Sequence, residues 1–201
     1  MGENACPRTG IDTLETRCAM RIVFAIGWLV LMTVSLTNAA PSVAPADPAV
    51  ARLSGLSGDA FDVAFMQALI PVDDEAVEMA MTATLYADHS ELLHWNQAAV
   101  ERSSEHVRKM LTWLHESGAG PAERRAGVAT ASVKKLRTLR GPALERLYLP
   151  LMASQLDKAV ALAHLAVEKA HRPELREFAR DAVRVDGQDS ATLRGWMKAW
   201  Y

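Results

Sequence analysis

From Phe61 onward the apolar residues recur at three- and four-residue steps. Phe61, Phe65, Ala68, Leu69, Val72, Ala76, Met79, Ala80 and Ala83 fall on one face of a helix at that spacing. Pro71 lacks a backbone donor, so the pattern predicts a kink or break there. A turn follows at Asp88-His89-Ser90-Glu91, where Asp88 and Glu91 have the spacing of a capping box. The second stripe is Leu92, Trp95, Ala99, Ser103, His106, Met110 and Trp113, and it stops before Gly118-Ala119-Gly120-Pro121. Leu147, Leu151, Met152, Gln155, Ala159, Leu162 and Ala166 form a third stripe. After Pro173, a residue suited to a first helical turn, Leu175, Phe178, Ala182, Asp186, Asp189, Leu193 and Trp196 form a fourth.

The four stripes are two copies of one pair. One constant shift in numbering, without a gap, carries Asp74, Ala76, Val77 and Ala80 onto Asp157, Ala159, Val160 and Ala163. Under the same shift Glu91 and Leu92 fall on Glu174 and Leu175, and Trp113 falls on Trp196. Such self-similarity marks duplication of a structural unit. The expected fold is therefore all-α: a ferritin-like four-helix bundle of two tandem helical hairpins, repeat 1 at 59–116 and repeat 2 at 142–201, with a long connection at 117–141. That connection carries Arg124, Arg125, Lys134, Lys135, Arg137 and Arg140 and has room for a short helix. Its charges read as a solvated face rather than a binding patch.

Residues 1–40 have a different character. Arg17 and Arg21 precede an apolar run from Ile22 to Leu36, and Thr37-Asn38-Ala39-Ala40 supplies the small residues a signal peptidase accepts. The run is shorter than the roughly 20 residues of a spanning helix. Residues 1–40 are thus expected to be an export signal, and an uncleaved anchor is the alternative. Cys6 and Cys18 both lie before the cleavage point, which would leave the exported chain without a thiol or disulfide. Residues 41–58, with three prolines and a Ser/Gly-rich end, read as a flexible tether. Removing 1–40 leaves about 160 residues, a size that suits one domain around one core. The formal net charge of −2 argues against a nucleic-acid partner, which calls for a basic excess.

Polar residues interrupt the apolar stripes. Ser103 and His106 sit on the second, Asp186 and Asp189 at the equivalent places on the fourth, Gln155 on the third, and Asp73 beside the first. Burying such groups unpaired costs roughly 1–3 kcal/mol each. They are therefore expected to meet partners across the bundle, reach water or hold an ion. Asp73, Met79, His106 and Met110 are the candidate metal set, since carboxylate, imidazole and thioether together suit a transition metal. No HExxH spacing occurs, and the two ExxH spacings, Glu91–His94 and Glu168–His171, lie near helix ends rather than at the middle of the stripes. A di-iron oxidase would need paired Glu and ExxH ligands facing one another from the stripes, which do not provide them, so the chain is not expected to be an enzyme.

These residues resemble the domain-of-unknown-function 305 family, DUF305. The resemblance rests on Phe65-Met66-Gln67-Ala68-Leu69-Ile70-Pro71 leading to Ala76-Val77-Glu78-Met79-Ala80, then Met110-Leu111-Thr112-Trp113-Leu114. Arg172-Pro173-Glu174-Leu175 and the closing Trp196-Met197-Lys198-Ala199-Trp200-Tyr201 echo it in the second copy. The resemblance implies an exported ferritin-like bundle, in a family with members implicated in copper binding. It also implies two adjacent histidines after the first proline, where this chain has Val72 and Asp73, with Gln155 and Leu156 in the second copy. The family's glutamine and glutamate of the second helix are here Ser103 and His106, then Asp186 and Asp189. Met79 and Met110 keep the family's methionines, while their counterparts are Leu162 and Leu193.

Two functions remain in view. One is a secreted or periplasmic non-catalytic bundle with a degenerate metal site, binding another protein through an exposed patch near Trp196, Trp200 and Tyr201. The other is an extracytoplasmic copper-binding protein using Asp73, Met79, His106 and Met110. A membrane enters only if residues 1–40 stay attached.

Overall fold

The computed structural model describes residues 47–201, so the expected export signal, both cysteines and the start of the expected tether lie outside the described residues. The described chain is all-α. Its helices are α1 (Pro48–Ser54), α2 (Gly58–Tyr86), α3 (Ser90–Glu116), α4 (Ala131–Arg137), α5 (Gly141–Lys169) and α6 (Pro173–Trp200). Helices α2 and α3 form one hairpin, and α5 and α6 form the other. The two hairpins dock through α2 and α5, which run antiparallel and share one interior. This is the four-helix bundle of two hairpins that the repeat implies. No helix among the described residues is long and apolar enough to cross a membrane.

The tether expected at 41–58 is corrected over its second half. Asp47 caps α1 by accepting from the Ala49 amide at 2.8 Å, and Pro48 opens the helix. Leu53 is fully buried in the core, and Lys169 donates to the Ser54 and Leu56 carbonyls. One leucine buried to this degree contributes roughly 1.5–3 kcal/mol, enough to dock a two-turn helix.

The break expected at Pro71 does not occur. Helix α2 runs through it, and α5 likewise runs through Pro150. Both helices lie in the middle of the bundle, where packing on two sides holds the chain helical across a missing donor. The capping box expected at Asp88 and Glu91 is also replaced. The α3 N-cap is His89, with no side-chain cap of its own. Glu145 of α5 instead accepts from the amides of Asp88 and His89 at 2.7 and 2.9 Å.

The connection is strapped to α2 and still presents a solvated outer face, on which Arg124, Lys134, Lys135, Arg137 and Arg140 are exposed. Arg124 holds Asp74 with two hydrogen bonds of 2.8 and 3.0 Å, and the Arg125 amide donates to the same carboxylate. Arg125 also pairs with Glu75, and Arg137 with Glu78. The Arg140 guanidinium lies 3.5 Å from the Tyr86 ring centre. The connection's arginines are thus spent on the acidic face of α2 and on the end of that helix.

Candidate functional site

The interior divides into two apolar clusters. One holds Phe61, Phe65, Leu69, Met110, Leu162 and Leu175, and the other holds Met79, Leu92, Tyr148, Met152 and Leu193. Between them, at the middle of the helices, sits a polar layer. It comprises Asp73 from α2, Arg102 and His106 from α3, Gln155 from α5, and Asp186 and Asp189 from α6. The stripe spacing puts His106, Gln155, Asp186 and Asp189 inward because each replaces an apolar residue in the three- and four-step pattern, while Asp73 borders the first stripe and Arg102 reaches in from beside the second.

Asp73 is the most isolated of them. Its Oδ2 is buried and has no hydrogen-bond partner. Burial pushes its carboxyl well above the usual range, and the nearby Asp186 and Asp74 carboxylates push it further, against the pull of Arg102. The nearest candidate partner is His106, whose Nδ1 lies 4.0 Å from that oxygen. Burial lowers the His106 pKa to about 4, and the Arg102 and Lys109 cations add to the shift. A carboxyl whose neutral form is favoured by burial therefore faces an imidazole that is neutral at neutral pH. At 4.0 Å this is neither an ion pair nor a hydrogen bond.

The charged half of the layer lies nearer the surface. Arg102 reaches from α3 to α6, donates to Asp189 and places its Nε 4.0 Å from Asp186. Burial raises Asp186 to about 6, Arg102 counteracts this, and Asp189 and Asp181 add to it. Gln155 donates to the Val72 carbonyl at 3.3 Å, which ties α5 to α2 in the same layer. The His106 ring meets Phe178 edge-on, with centroids 4.7 Å apart, at the inner wall of an open cleft between α3 and α6.

Of the four residues proposed as metal ligands, the structure brings Asp73 and His106 together. Met79 and Met110 are both buried, but in different apolar clusters on opposite sides of the layer. Among the described residues no group of three or more His, Cys, Asp or Glu side chains is placed to hold a metal ion. Two facing donors with a guanidinium in the same layer do not fit a closed transition-metal centre, which takes about four ligands. The patch expected at the C-terminus is also changed. Trp200 stacks on Trp196 and on His89, and Tyr201 donates to Glu145, so these rings are half-buried against one another.

Several of these roles are missing from the stripe pattern. Arg102 lies beside the second stripe, one helical turn before His106, and its long side chain crosses to the facing helix. Asp62 and Glu145 are related by the shift that carries one copy onto the other, a match of two acids that the alanine and tryptophan matches obscured.

Comparison with known proteins places this arrangement. The domain of unknown function DUF305 matches twice, over residues 37–114 and 115–197. Among solved structures, CopM in its Cu(I)-bound form superposes with a TM-score of 0.63 at 22% identity, covering 70% of this chain and 97% of that one. A DUF305 fragment from Deinococcus radiodurans gives 0.61 at 23%, covering 69% and 95%. A DUF305 protein from Streptomyces coelicolor, named as a presumptive secreted protein, gives 0.60 at 23%, covering 66% and 88%. No curated protein sequence matches. The structural likeness shows the shared fold, and the double match of the domain across both repeats shows the lineage: the chain belongs to the DUF305 family.

Proposed function

We propose that this protein is a non-catalytic DUF305 bundle of the extracytoplasmic space, in which an internal ion-pair network stands where a metal centre would lie. The observation that carries this reading is Arg102. Its guanidinium lies in the polar layer, bonded to Asp189 and near Asp186, so the layer already contains its cation. A second positive charge placed beside it would be repelled by roughly 4 kcal/mol at about 4 Å in a medium of effective dielectric about 20. The separation of Met79 from Met110 removes the soft ligands that copper(I) prefers. The extracytoplasmic location is supported by the signal-like residues 1–40 and by the presumptively secreted Streptomyces relative. On this reading the protein acts by binding, and no group in the layer serves as a nucleophile or base.

A second reading has one observation in its favour. The unpartnered Asp73 Oδ2 faces His106 Nδ1, and structures of this fold with Cu(I), Cu(II) and silver bound exist for CopM. Asp73 and His106 would then hold a copper ion, with Met79 and Met110 as the reading's other candidate ligands. Titration of the metal-free protein with Cu(I), Cu(II) and Zn(II), followed by native mass spectrometry, separates the two. The first reading expects no binding tighter than about 1 μM, a level well short of a dedicated site. Stoichiometric uptake below that level, lost in His106→Ala, replaces the first reading with the second.

A further inference from the structure

The two ends of the bundle are copies of one another, but only one is filled. At the filled end Trp200 lies between two rings. Its centroid is 3.8 Å from His89 and 5.1 Å from Trp196, and both pairs are nearly parallel. Tyr201 follows, edge-on to His89 and under the Arg146 guanidinium, and its hydroxyl donates to Glu145 at 2.5 Å. The last two residues of the chain thus plug a niche built from α5, α6 and the α2–α3 turn.

Exchanging each wall of that niche for its counterpart in the other copy gives the walls of a cavity at the opposite end. Glu145 becomes Asp62, Arg146 becomes Val63, Leu149 becomes Met66, Trp196 becomes Trp113 and His89 becomes Arg172. All five line one cavity of about 240 Å3. The plug is what differs. Trp200 becomes Ser117 and Tyr201 becomes Gly118. Ser117 caps α3 and turns its hydroxyl back to the Leu114 carbonyl, and Gly118 takes a φ of +66° that leads the chain away. The aromatic wall is kept, and the aromatic filling is absent.

We propose that this cavity is a binding site for a phenol ring, the counterpart of Tyr201 supplied from outside. The chemistry of the walls matches that ligand. Trp113 and Arg172 flank the opening, with the guanidinium 5.9 Å from the indole centre, and Met66 and Val63 provide apolar contact. Asp62 is buried and each of its oxygens accepts one amide, from His171 and from Arg172. A carboxylate oxygen has room for a second donor. Glu145 uses that capacity, taking the Tyr201 hydroxyl on an oxygen that His89 Nδ1 also approaches at 2.6 Å. The size fits as well, since an apolar cavity of about 150 Å3 holds benzene and a phenol with a short side chain needs somewhat more. The phenol is either a free small molecule or the tyrosine of a polypeptide.

The test uses NMR of the Trp113 indole N–H, assigned with Trp113→Phe. The probes are tyramine, phenethylamine and a peptide with the sequence of residues 195–201. Tyramine is expected to shift this resonance with a Kd of about 1 mM or tighter, as suits one buried ring. Phenethylamine, lacking the hydroxyl, is expected to bind about tenfold more weakly, because the Asp62 hydrogen bond is lost. Ser117→Trp rebuilds the missing plug and is expected to abolish binding. Val63→Phe fills the same niche from α2 and serves as the second variant should the first unfold. A peptide binding at least tenfold tighter than tyramine assigns the site to a chain segment, and the reverse assigns it to a small phenol. No shift at Trp113 with either phenol, or an undiminished shift in both filling variants, overturns the proposal. Metal content does not enter any arm, so the outcome is independent of the reading given to the polar layer.

Discussion

Asp62 and Glu145 occupy the same position in the two repeats, and each caps the turn of the other repeat. Asp62 on α2 accepts from the amides of His171 and Arg172, which precede α6. Glu145 on α5 accepts from Asp88 and His89, which precede α3. The turn residues are themselves counterparts, Asp88 of His171 and His89 of Arg172. The duplication therefore extends from the helix stripes to the hydrogen bonds that close the hairpins. Because each carboxylate reaches across, neither hairpin satisfies its own turn. This reciprocal need fixes α2 and α5 as an antiparallel pair in a single register.

Removing either carboxylate should be costly. Glu145 is fully buried, and burial alone would raise its pKa, but hydrogen bonds from Tyr201, His89 and Asp88 hold it below its usual range. Glu145→Ala leaves two amides, an imidazole and a phenol without that partner. The expected loss is about 3 kcal/mol, against about 2 kcal/mol for Asp62→Ala. The two sites lie at opposite ends of the bundle, so the double variant should show the sum to within about 0.5 kcal/mol. Urea unfolding measures all three. A double variant no less stable than Glu145→Ala alone would mean that the caps are not independent.

A second prediction concerns Gly58 and Gly141, which begin α2 and α5 and are counterparts in the two copies. Both have positive φ, +59° and +50°. A Cβ at Gly58 would meet nothing within 4 Å, whereas one at Gly141 would lie 2.6 Å from Asp88 Oδ2. Gly58→Ala should cost roughly 1 kcal/mol, the usual left-handed penalty for an L-residue. Gly141→Ala adds a steric conflict with the turn that Glu145 caps, and should cost roughly 2–3 kcal/mol. Thermal unfolding of the two variants side by side tests the ranking, and equal costs would contradict the packing at Gly141.

The parts of the fold that could be read from the sequence are those set by spacing. The stripes from Phe61 to Ala83 and from Leu92 to Trp113 give two long helices, and the ungapped shift gives the other two. Position on a stripe also placed Asp73, His106, Gln155 and Asp186 at the interior. What the spacing does not carry is the identity of partners far along the chain. The turn at Asp88 carries a capping-box signature, yet its amides go to Glu145, on the other hairpin. Arg102 sits off the stripe, and only the approach of α6 shows where its guanidinium ends. Met79 and Met110 share a plausible neighbourhood on helical wheels, and only the docked helices show the polar layer between them.

The polar layer predicts a specific pH dependence in chelator-treated protein. His106 has its pKa lowered from 6.5 to about 4 on folding, so the folded state binds fewer protons in that window. Stability that is present above about pH 6.5 is then lost as pH falls towards 4. Asp186 behaves oppositely. Its pKa is raised from 3.8 to about 6, so its contribution is present below about pH 4 and is lost as pH rises through 6. The two slopes nearly cancel in the native protein. His106→Gln should remove the acid loss and gain roughly 2–3 kcal/mol relative to wild type on going from about pH 7 to about pH 4. Asp186→Asn should gain roughly 2 kcal/mol relative to wild type on going from about pH 4 to about pH 7. Unfolding curves that shift equally at every pH would show that neither group titrates as its burial dictates.

Arg102 provides the sharpest test of what the layer is for. Its guanidinium balances Asp186 and Asp189, and all three side chains are largely shielded from water. Arg102→Ala leaves two carboxylates close together with no cation, beside the unpartnered Asp73. Breaking a pair of this kind from one side costs about 3 kcal/mol at neutral pH, because the remaining charge stays buried. An added divalent ion that replaces the guanidinium stabilises the folded state by mass action, by about 2.7 kcal/mol at a concentration about 100 times its Kd. Millimolar Zn(II) should therefore raise the Tm of Arg102→Ala while leaving the wild type unchanged. If the arginine is the resident cation, only its removal makes room for a metal. A wild type that gains as much from Zn(II) as the variant does would show that the layer accepts metal with Arg102 in place.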